Sequence, residues 1–174
     1  DNRIITGSGS ANTLNAESNF TFDGTVCNLT GTGDGVLNLN TTNSAGAFIR
    51  FRQGGTNKVF VGCGHGLGAG SATDLGLVSD SGNIICRTNS NERLRIDSNG
   101  NMGLGVTPNS NWPSNGDFRP LQLGTGMCIF GRGSGDEARG GISANYYHTG
   151  SAEKYISNGR AGRIYFEDGS ILFS

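Results

Sequence analysis

Long apolar runs are missing from this sequence, and so is any excess of basic charge. No apolar segment approaches the roughly 20 residues of a membrane-spanning helix, and no positively charged, then apolar, leader opens the sequence. The 13 lysines and arginines are dispersed along the chain, and the formal net charge is -1. Since nucleic-acid-binding surfaces concentrate basic residues, we predict neither nucleic acid as a partner nor insertion into a membrane.

Cysteine and histidine are too scarce and too widely spaced to form a recognisable metal or catalytic site. The 4 cysteines have no C-x-x-C spacing, and we expect free thiols. Cys63 and His65 supply one close pair of zinc ligands, but no second pair lies nearby in the sequence. His148 is the other histidine, and neither has a serine elbow or an acidic partner at a recognisable spacing. We therefore predict no metal, no cofactor and no catalytic residue.

The adjacent carboxylates Asp136 and Glu137 are the remaining candidates for a glycosidase pair. Neighbouring residues of a strand point to opposite faces of its sheet, which is a poor way to place two carboxylates around one bond. Arg132 and Arg139 flank them, as in a solvated turn. We predict that the protein is not an enzyme.

Proline is also rare, with 3 residues, whereas glycine is abundant, with 31 of 174 residues. Only 34% of the residues are hydrophobic, so a monomer would have to offset the conformational entropy of its glycines with a thin core. No Gly-x-y period is present, which excludes collagen. This composition favours a protein whose chains bury their apolar residues against one another.

Short alternating runs bounded by turn residues predict an all-β protein. Pairs such as Asp23-Gly24 and Gly54-Gly55 separate these runs in the way that the turns of hairpins do. No segment has the 3.6-residue apolar stripe of a helix. The predicted strands cover residues 20–22, 36–39, 47–51, 58–62, 75–78, 83–87, 94–96 and 102–106.

The clearest local signal is a hairpin around Asn99 and Gly100. Apolar residues alternate with polar ones over residues 93–97, and with glycine over residues 102–106. Asn and Gly tolerate positive φ, and an Asn-Gly pair between alternating runs is a strong hairpin signal. We therefore predict a turn at Asn99-Gly100.

Residues 93–108, R-L-R-I-D-S-N-G-N-M-G-L-G-V-T-P, resemble a motif that recurs in the distal shafts of tailed-phage tail fibres and tailspikes. In those proteins the motif is often found upstream of a self-cleaving intramolecular chaperone domain. The run A-N-T-L-x-A-E-S-N-x-T-F-D-G at residues 11–24 is similar to another element of the same fibres. The resemblance implies an elongated module of short antiparallel strands and hairpins, in an intertwined or side-by-side parallel homotrimer.

The resemblance also implies a function. The chain would be a structural and adhesive part of a tailed-phage fibre, which extends to the receptor-binding surface or forms it. Its partners would be two copies of itself, other fibre or baseplate proteins, and a glycan or protein of the host surface. It would be assembled in the bacterial cytoplasm and reside in the virion. Two alternatives are a virion head fibre or decoration protein, and the non-catalytic part of a glycan-degrading tailspike.

The sequence divides into a shaft segment at 1–35, a β-module at 36–106, a linker at 107–120 and a second module at 121–174. The second module resembles an incomplete repeat of the first, because residues 36–39 are similar to 120–123, and 81–85 to 161–165. Since the sequence begins at Asp1 rather than Met, we expect a fragment, a processed product or the ordered part of a longer protein.

All 3 prolines and the only tryptophan fall in the linker. Proline removes a backbone donor and restricts the residue before it, so we expect strand pairing to break here. Trp112 and Pro113 are predicted to be structural. The Trp112 ring would either stack against a neighbouring chain or cover an edge of the core.

Two segments are candidates for receptor contact. The glycine-rich segment 62–70, with His65 and Leu67, is predicted to be a flexible loop, which either projects towards a receptor or allows chains to pack closely. Tyr146, Tyr147 and His148 offer flat apolar faces with polar edges, which suit saccharide rings. If these residues lie on a strand, one of the two tyrosines faces inward.

Overall fold

The structure, a computed structural model, describes residues 3–7, 14–33, 35, 37–113, 118–133, 138–149, 151–167 and 169–174. In this part of the chain the regular structure is almost entirely β, with one short 3-10 helix at His65–Leu67. The strands are β1 (Arg3–Gly7), β2 (Leu14–Phe22), β3 (Cys27–Leu29), β4 (Phe48–Gln53), β5 (Thr56–Cys63), β6 (Leu75–Ser79), β7 (Ile84–Thr88), β8 (Asn91–Ile96), β9 (Met102–Leu104), β10 (Phe118–Leu123), β11 (Met127–Gly133), β12 (Ala138–Ala144), β13 (Tyr147–His148), β14 (Glu153–Lys154), β15 (Gly162–Glu167) and β16 (Ser170–Phe173). The all-β prediction is therefore confirmed.

These strands form four sheets. Strands β1–β3 and β4–β6 make two antiparallel three-stranded sheets, and β13 pairs with β14. The remaining strands form one eight-stranded sheet in the order β16-β15-β12-β11-β10-β9-β8-β7. Within it only β9 and β10 are parallel.

Turn residues explain why the hairpins close where they do. Gly54 and Gly55 both have positive φ, 56° and 80°, and they link β4 to β5 through a two-residue turn. Asn89 and Ser90 link β7 to β8 in the same way, with φ of 48° and 62°. Serine is a poor signal for positive φ, so sequence reasoning did not identify this second turn.

The parallel pair corrects the expectation that all neighbouring strands are antiparallel. Parallel neighbours need a crossover, and it lies between the end of β9 at Leu104 and the start of β10 at Phe118, a stretch that overlaps the predicted linker. Gly103 allows the crossover to lie flat on the sheet, because a Cβ at this position would collide with the Val106 carbonyl oxygen and the Pro108 ring. The sheet therefore joins strands on both sides of the predicted linker, and whether the two modules are repeats stays a prediction.

Two further expectations need correction in detail. Residues 37–39 form no strand, since none of the strands that the structure describes pairs with them. Val36 lies outside the described residues. Strand pairing resumes at Phe118, before the linker's predicted end at Pro120. Pro120 has no N–H to donate, but it lies just before Leu121, the first residue of β10 that is paired with β9. The proline therefore removes no hydrogen bond between β9 and β10.

The core lies on one face of the eight-stranded sheet. The sheet contributes Phe118 from β10, and Cys128 and Phe130 from β11. These side chains are covered by Trp112 and Tyr146. Trp112 is 2% exposed, and its ring centre lies 6.3 Å from that of Phe118 and 6.1 Å from that of Phe130. Two roles were expected for Trp112, and in the structure its ring covers the core.

Candidate functional site

The opposite face of the eight-stranded sheet carries an uninterrupted line of apolar side chains. Each strand contributes one residue, which lies directly opposite the contributing residue of the neighbouring strand. We call this line of residues the apolar row. Its members are Ile84, Ile96, Met102, Leu121, Ile129, Ile142, Ile164 and Phe173. No described segment of the chain covers the middle of the row, since Ile129, Ile142 and Ile164 are 38–42% exposed.

The sheet of β4–β6 repeats this arrangement. Ile49, Val61 and Leu77 are paired across the three strands and are all exposed. The opposite face of this small sheet is held by Phe48 and Phe60, whose rings meet edge to face with their centres 5.9 Å apart. Two sheets of the chain thus present apolar side chains that the chain itself does not bury.

The exposed area of the chain is correspondingly large. A compact protein of 18.1 kDa exposes about 8,100 Å², whereas this chain exposes 11822 Å². Apolar patches larger than a few hundred Å² are uncommon on soluble monomers and mark interaction surfaces.

On the covered face, an arginine organises a cluster of aromatic rings. The Arg163 guanidinium lies 5.1 Å from the ring centre of Tyr146 and 5.0 Å from that of Tyr165. Its Nη1 donates to the Tyr146 hydroxyl at 3.0 Å and to the Glu153 carboxylate. Burial, reinforced by the Glu153 carboxylate, raises the pKa of Tyr146 to about 12.

A cleft of about 340 Å³ opens beside this cluster, between the end of β14 and the start of β15. Its lining residues include Tyr146, Glu153, Tyr155 and Arg163. Arg163 also lines a second cavity of about 190 Å³, and Arg132 is another of its lining residues. Sequence reasoning did not identify Glu153, Tyr155 or Arg163, because only the folded sheet brings them together.

One asparagine fixes the loop that forms a wall of the cleft. The Asn145 side chain accepts a hydrogen bond from the Ser157 N–H at 2.7 Å, and donates to the Ser157 and Arg160 carbonyl oxygens at 2.9 and 3.2 Å. Asn145 itself has a φ of 54°, a conformation that asparagine adopts more readily than most residues. The residues between β14 and β15, with Tyr155 among them, are thereby tied to the residue that follows β12.

The glycine-rich candidate segment is a hydrogen-bonded turn rather than an irregular loop. The Gly64 N–H donates to the Asp74 carbonyl oxygen at 2.8 Å, and the His65 N–H donates to that of Ser71 at 3.0 Å. His65 is exposed and Leu67 is half-buried. The two residues lie apart from the aromatic cluster, in the loop that links β5 to β6.

The other candidate segment joins the aromatic cluster. Tyr146 is buried, so its ring offers no flat face to a receptor, whereas Tyr147 and His148 are half-buried. His148 stacks on Phe118, with ring centres 4.9 Å apart. Burial lowers the pKa of His148; Glu153 raises it, and Arg132 and Arg163 lower it further.

The residues predicted to be structural lie at turns and on the core. Asn99 and Gly100 lie in the loop of the β8–β9 hairpin, where the turn was predicted. Gly100 has a φ of 82°. Trp112 is buried and Pro113 is half-buried beside it.

Other kinds of site are not found in the described part of the chain. No three His, Cys, Asp or Glu residues there are grouped as metal ligands, and no helix there is long and apolar enough to cross a membrane. All four cysteines are free, and burial raises the pKa of the Cys128 thiol to about 12.

Comparisons with known proteins assign no family to this chain. No family model matches it. No curated protein and no solved structure matches it either.

Proposed function

We propose that the chain is a structural and adhesive segment of a tailed-phage fibre and functions as a parallel homotrimer. The observation that carries this proposal is the apolar row, which crosses all eight strands of the largest sheet and is exposed at Ile129, Ile142, Ile164 and Phe173. Three copies would pack these faces around a common axis, so that each chain completes its core with residues of the other two.

The geometry of the sheet favours self-association over a small ligand. The row is broad, apolar and built from strands, and its middle is exposed at Ile129, Ile142 and Ile164. The resemblance of residues 93–108 to fibre shafts supports the same arrangement and supplies the adhesive function. Several trimers in one virion would turn weak contacts with host glycans or proteins into lasting attachment.

Light scattering of the purified protein tests the assembly. We expect a mass of three chains that persists on dilution, because an obligate interface dissociates slowly. A stable compact monomer would contradict the proposal. In virions, labelled antibodies against the protein should mark the tail; labelling of the head would favour a head fibre instead.

A further inference from the structure

Beyond assembly, the cleft between β14 and β15 has the features of a binding site. Its volume of about 340 Å³ lies in the range of small-molecule sites, about 300–1,000 Å³. It opens on the face of the sheet opposite to the apolar row, because Arg163 and Ile164 are neighbours on one strand and point to opposite faces. Packing of three apolar rows would therefore leave the cleft accessible.

The polar groups of the cleft are held in place before any ligand arrives. Arg163 donates from Nη1 to Tyr146 and Glu153, and from Nε to the Ser174 hydroxyl at 2.9 Å. The Glu153 side chain is still half-exposed, with 54% of its surface accessible. A ligand thus meets a fixed carboxylate acceptor, a guanidinium edge and a hydroxyl, at little cost in side-chain entropy.

An exposed aromatic ring completes the cleft. Tyr155 is 64% exposed and follows directly on β14, so its ring stands beside the polar groups rather than in the core. Tyrosine offers a flat apolar face together with a polar edge. A ring of this kind stays exposed at an energetic cost unless a partner covers it.

We propose that this cleft binds a saccharide, with one sugar ring stacked on Tyr155 and its hydroxyl groups bonded to Glu153 and Arg163. Hydroxyl groups donate and accept, which matches a site that contains both a carboxylate and a guanidinium. A phosphate would be repelled by the Glu153 carboxylate. A purely apolar ligand would remove water from the two charged groups and would offer them no hydrogen bonds in exchange. The proposal rests on the adhesive function, for which it supplies a binding site.

Binding of the assembled wild-type protein to an array of neutral and acidic oligosaccharides tests the proposal. The bound saccharide is then titrated against the Tyr155→Ala, Tyr155→Phe and Glu153→Gln variants. We expect Kd to rise at least about tenfold for Tyr155→Ala and Glu153→Gln, and less than about threefold for Tyr155→Phe, which keeps the ring. Light scattering should give all variants the wild-type mass, because these residues lie away from the apolar row.

Two results would overturn the cleft assignment: no oligosaccharide is bound, or Tyr155→Ala binds as tightly as the wild type. Binding of the fluorescently labelled protein to host bacteria separates this failure from failure of the proposed function. If the wild type binds cells and Tyr155→Ala binds them equally well, the adhesive function stands and the cleft is not the site. If the assembled wild type does not bind cells, the adhesive function itself is wrong.

Discussion

The carboxylate of Asp97 binds Asn101 twice. Its Oδ1 accepts the Asn101 backbone N–H at 2.9 Å, and its Oδ2 accepts a hydrogen bond from Asn101 Nδ2 at 3.0 Å. The same Oδ1 also accepts the Asn99 N–H at 2.9 Å. Asp97 thus satisfies three donors of the loop that contains Gly100, so the hairpin depends on this side chain as well as on the Asn-Gly pair.

Replacing Asp97 with alanine should destabilise the protein. Asn101 is buried, and without the carboxylate its N–H and amide would lose their partners, which costs about 1–3 kcal/mol. Chemical denaturation of Asp97→Ala should give a free energy of unfolding lower by this amount. Asp80→Ala, in the exposed segment between β6 and β7, is the matched control and should change stability little. Equal effects of the two substitutions would contradict this role for Asp97.

The β8–β9 hairpin could be predicted from the sequence because its signals are local. Alternation over residues 93–97 and a turn pair at Asn99-Gly100 both act within a few residues of each other. The parallel pairing of β9 with β10 could not be predicted in this way, since it depends on a crossover that packs over Gly103. A two-residue period predicts which side chains of a strand share a face, but it does not predict which strand is the neighbour in the sheet.

The candidate cleft was harder to predict for the same reason. Glu153 and Arg163 are ten positions apart, in segments that look like ordinary polar turns. The pairing of β12 with β15 positions Arg163, and the pairing of β13 with β14 positions Glu153, so that both lie beside Tyr146. The role of Asn145 could not be predicted from the sequence, because its side chain forms hydrogen bonds with residues twelve and fifteen positions away. Tyr146 was identified as an aromatic residue, but the side of the sheet that it faces was not.

Removal of the Asn145 side chain should loosen the loop between β14 and β15. Glycine adopts positive φ without strain, so Asn145→Gly removes the hydrogen bonds to Ser157 and Arg160 but permits the same backbone conformation. We expect a loss of about 1–3 kcal/mol in the free energy of unfolding, and faster amide hydrogen exchange in residues 155–160. Asn89→Gly, in an exposed turn that also has positive φ, is the control. Unchanged exchange in residues 155–160 would contradict the anchoring role.

Gly141 should tolerate no side chain. A Cβ there would collide with the Ile164 carbonyl oxygen and would lie 3.3 Å from the Phe130 ring, which packs over the glycine against Tyr165. Gly141→Ala should therefore lower the thermal midpoint, with a cost of about 1–3 kcal/mol from overpacking. Gly126→Ala adds the same methyl group at a turn where nothing lies within 4 Å of it, and should be nearly neutral. A wild-type midpoint for Gly141→Ala would show that the sheet can open at this position.

The stability of the protein should decrease in mild acid because of His148. Burial is the main reason why its folded pKa lies below the usual 6.5, so between these two values the unfolded chain binds more protons than the folded one. The contribution of His148 to the free energy of unfolding is then fully present above a pH of about 6.5 and is lost as the pH falls through the folded pKa. Denaturation at several pH values should show a smaller acid loss for His148→Gln than for the wild type.

The apolar row makes the most direct prediction about assembly. Ile142 lies in the middle of the row, paired with Ile129 on one side and Ile164 on the other. In a trimer built on this face, Ile142→Lys would bury a charge from each chain without a partner, and the interface should not form. We expect light scattering to give the mass of one chain for Ile142→Lys and of three chains for Thr125→Lys, at an exposed turn between β10 and β11. If Ile142→Lys still assembles into trimers, another surface must join the chains, and the apolar row would have to bind a different partner.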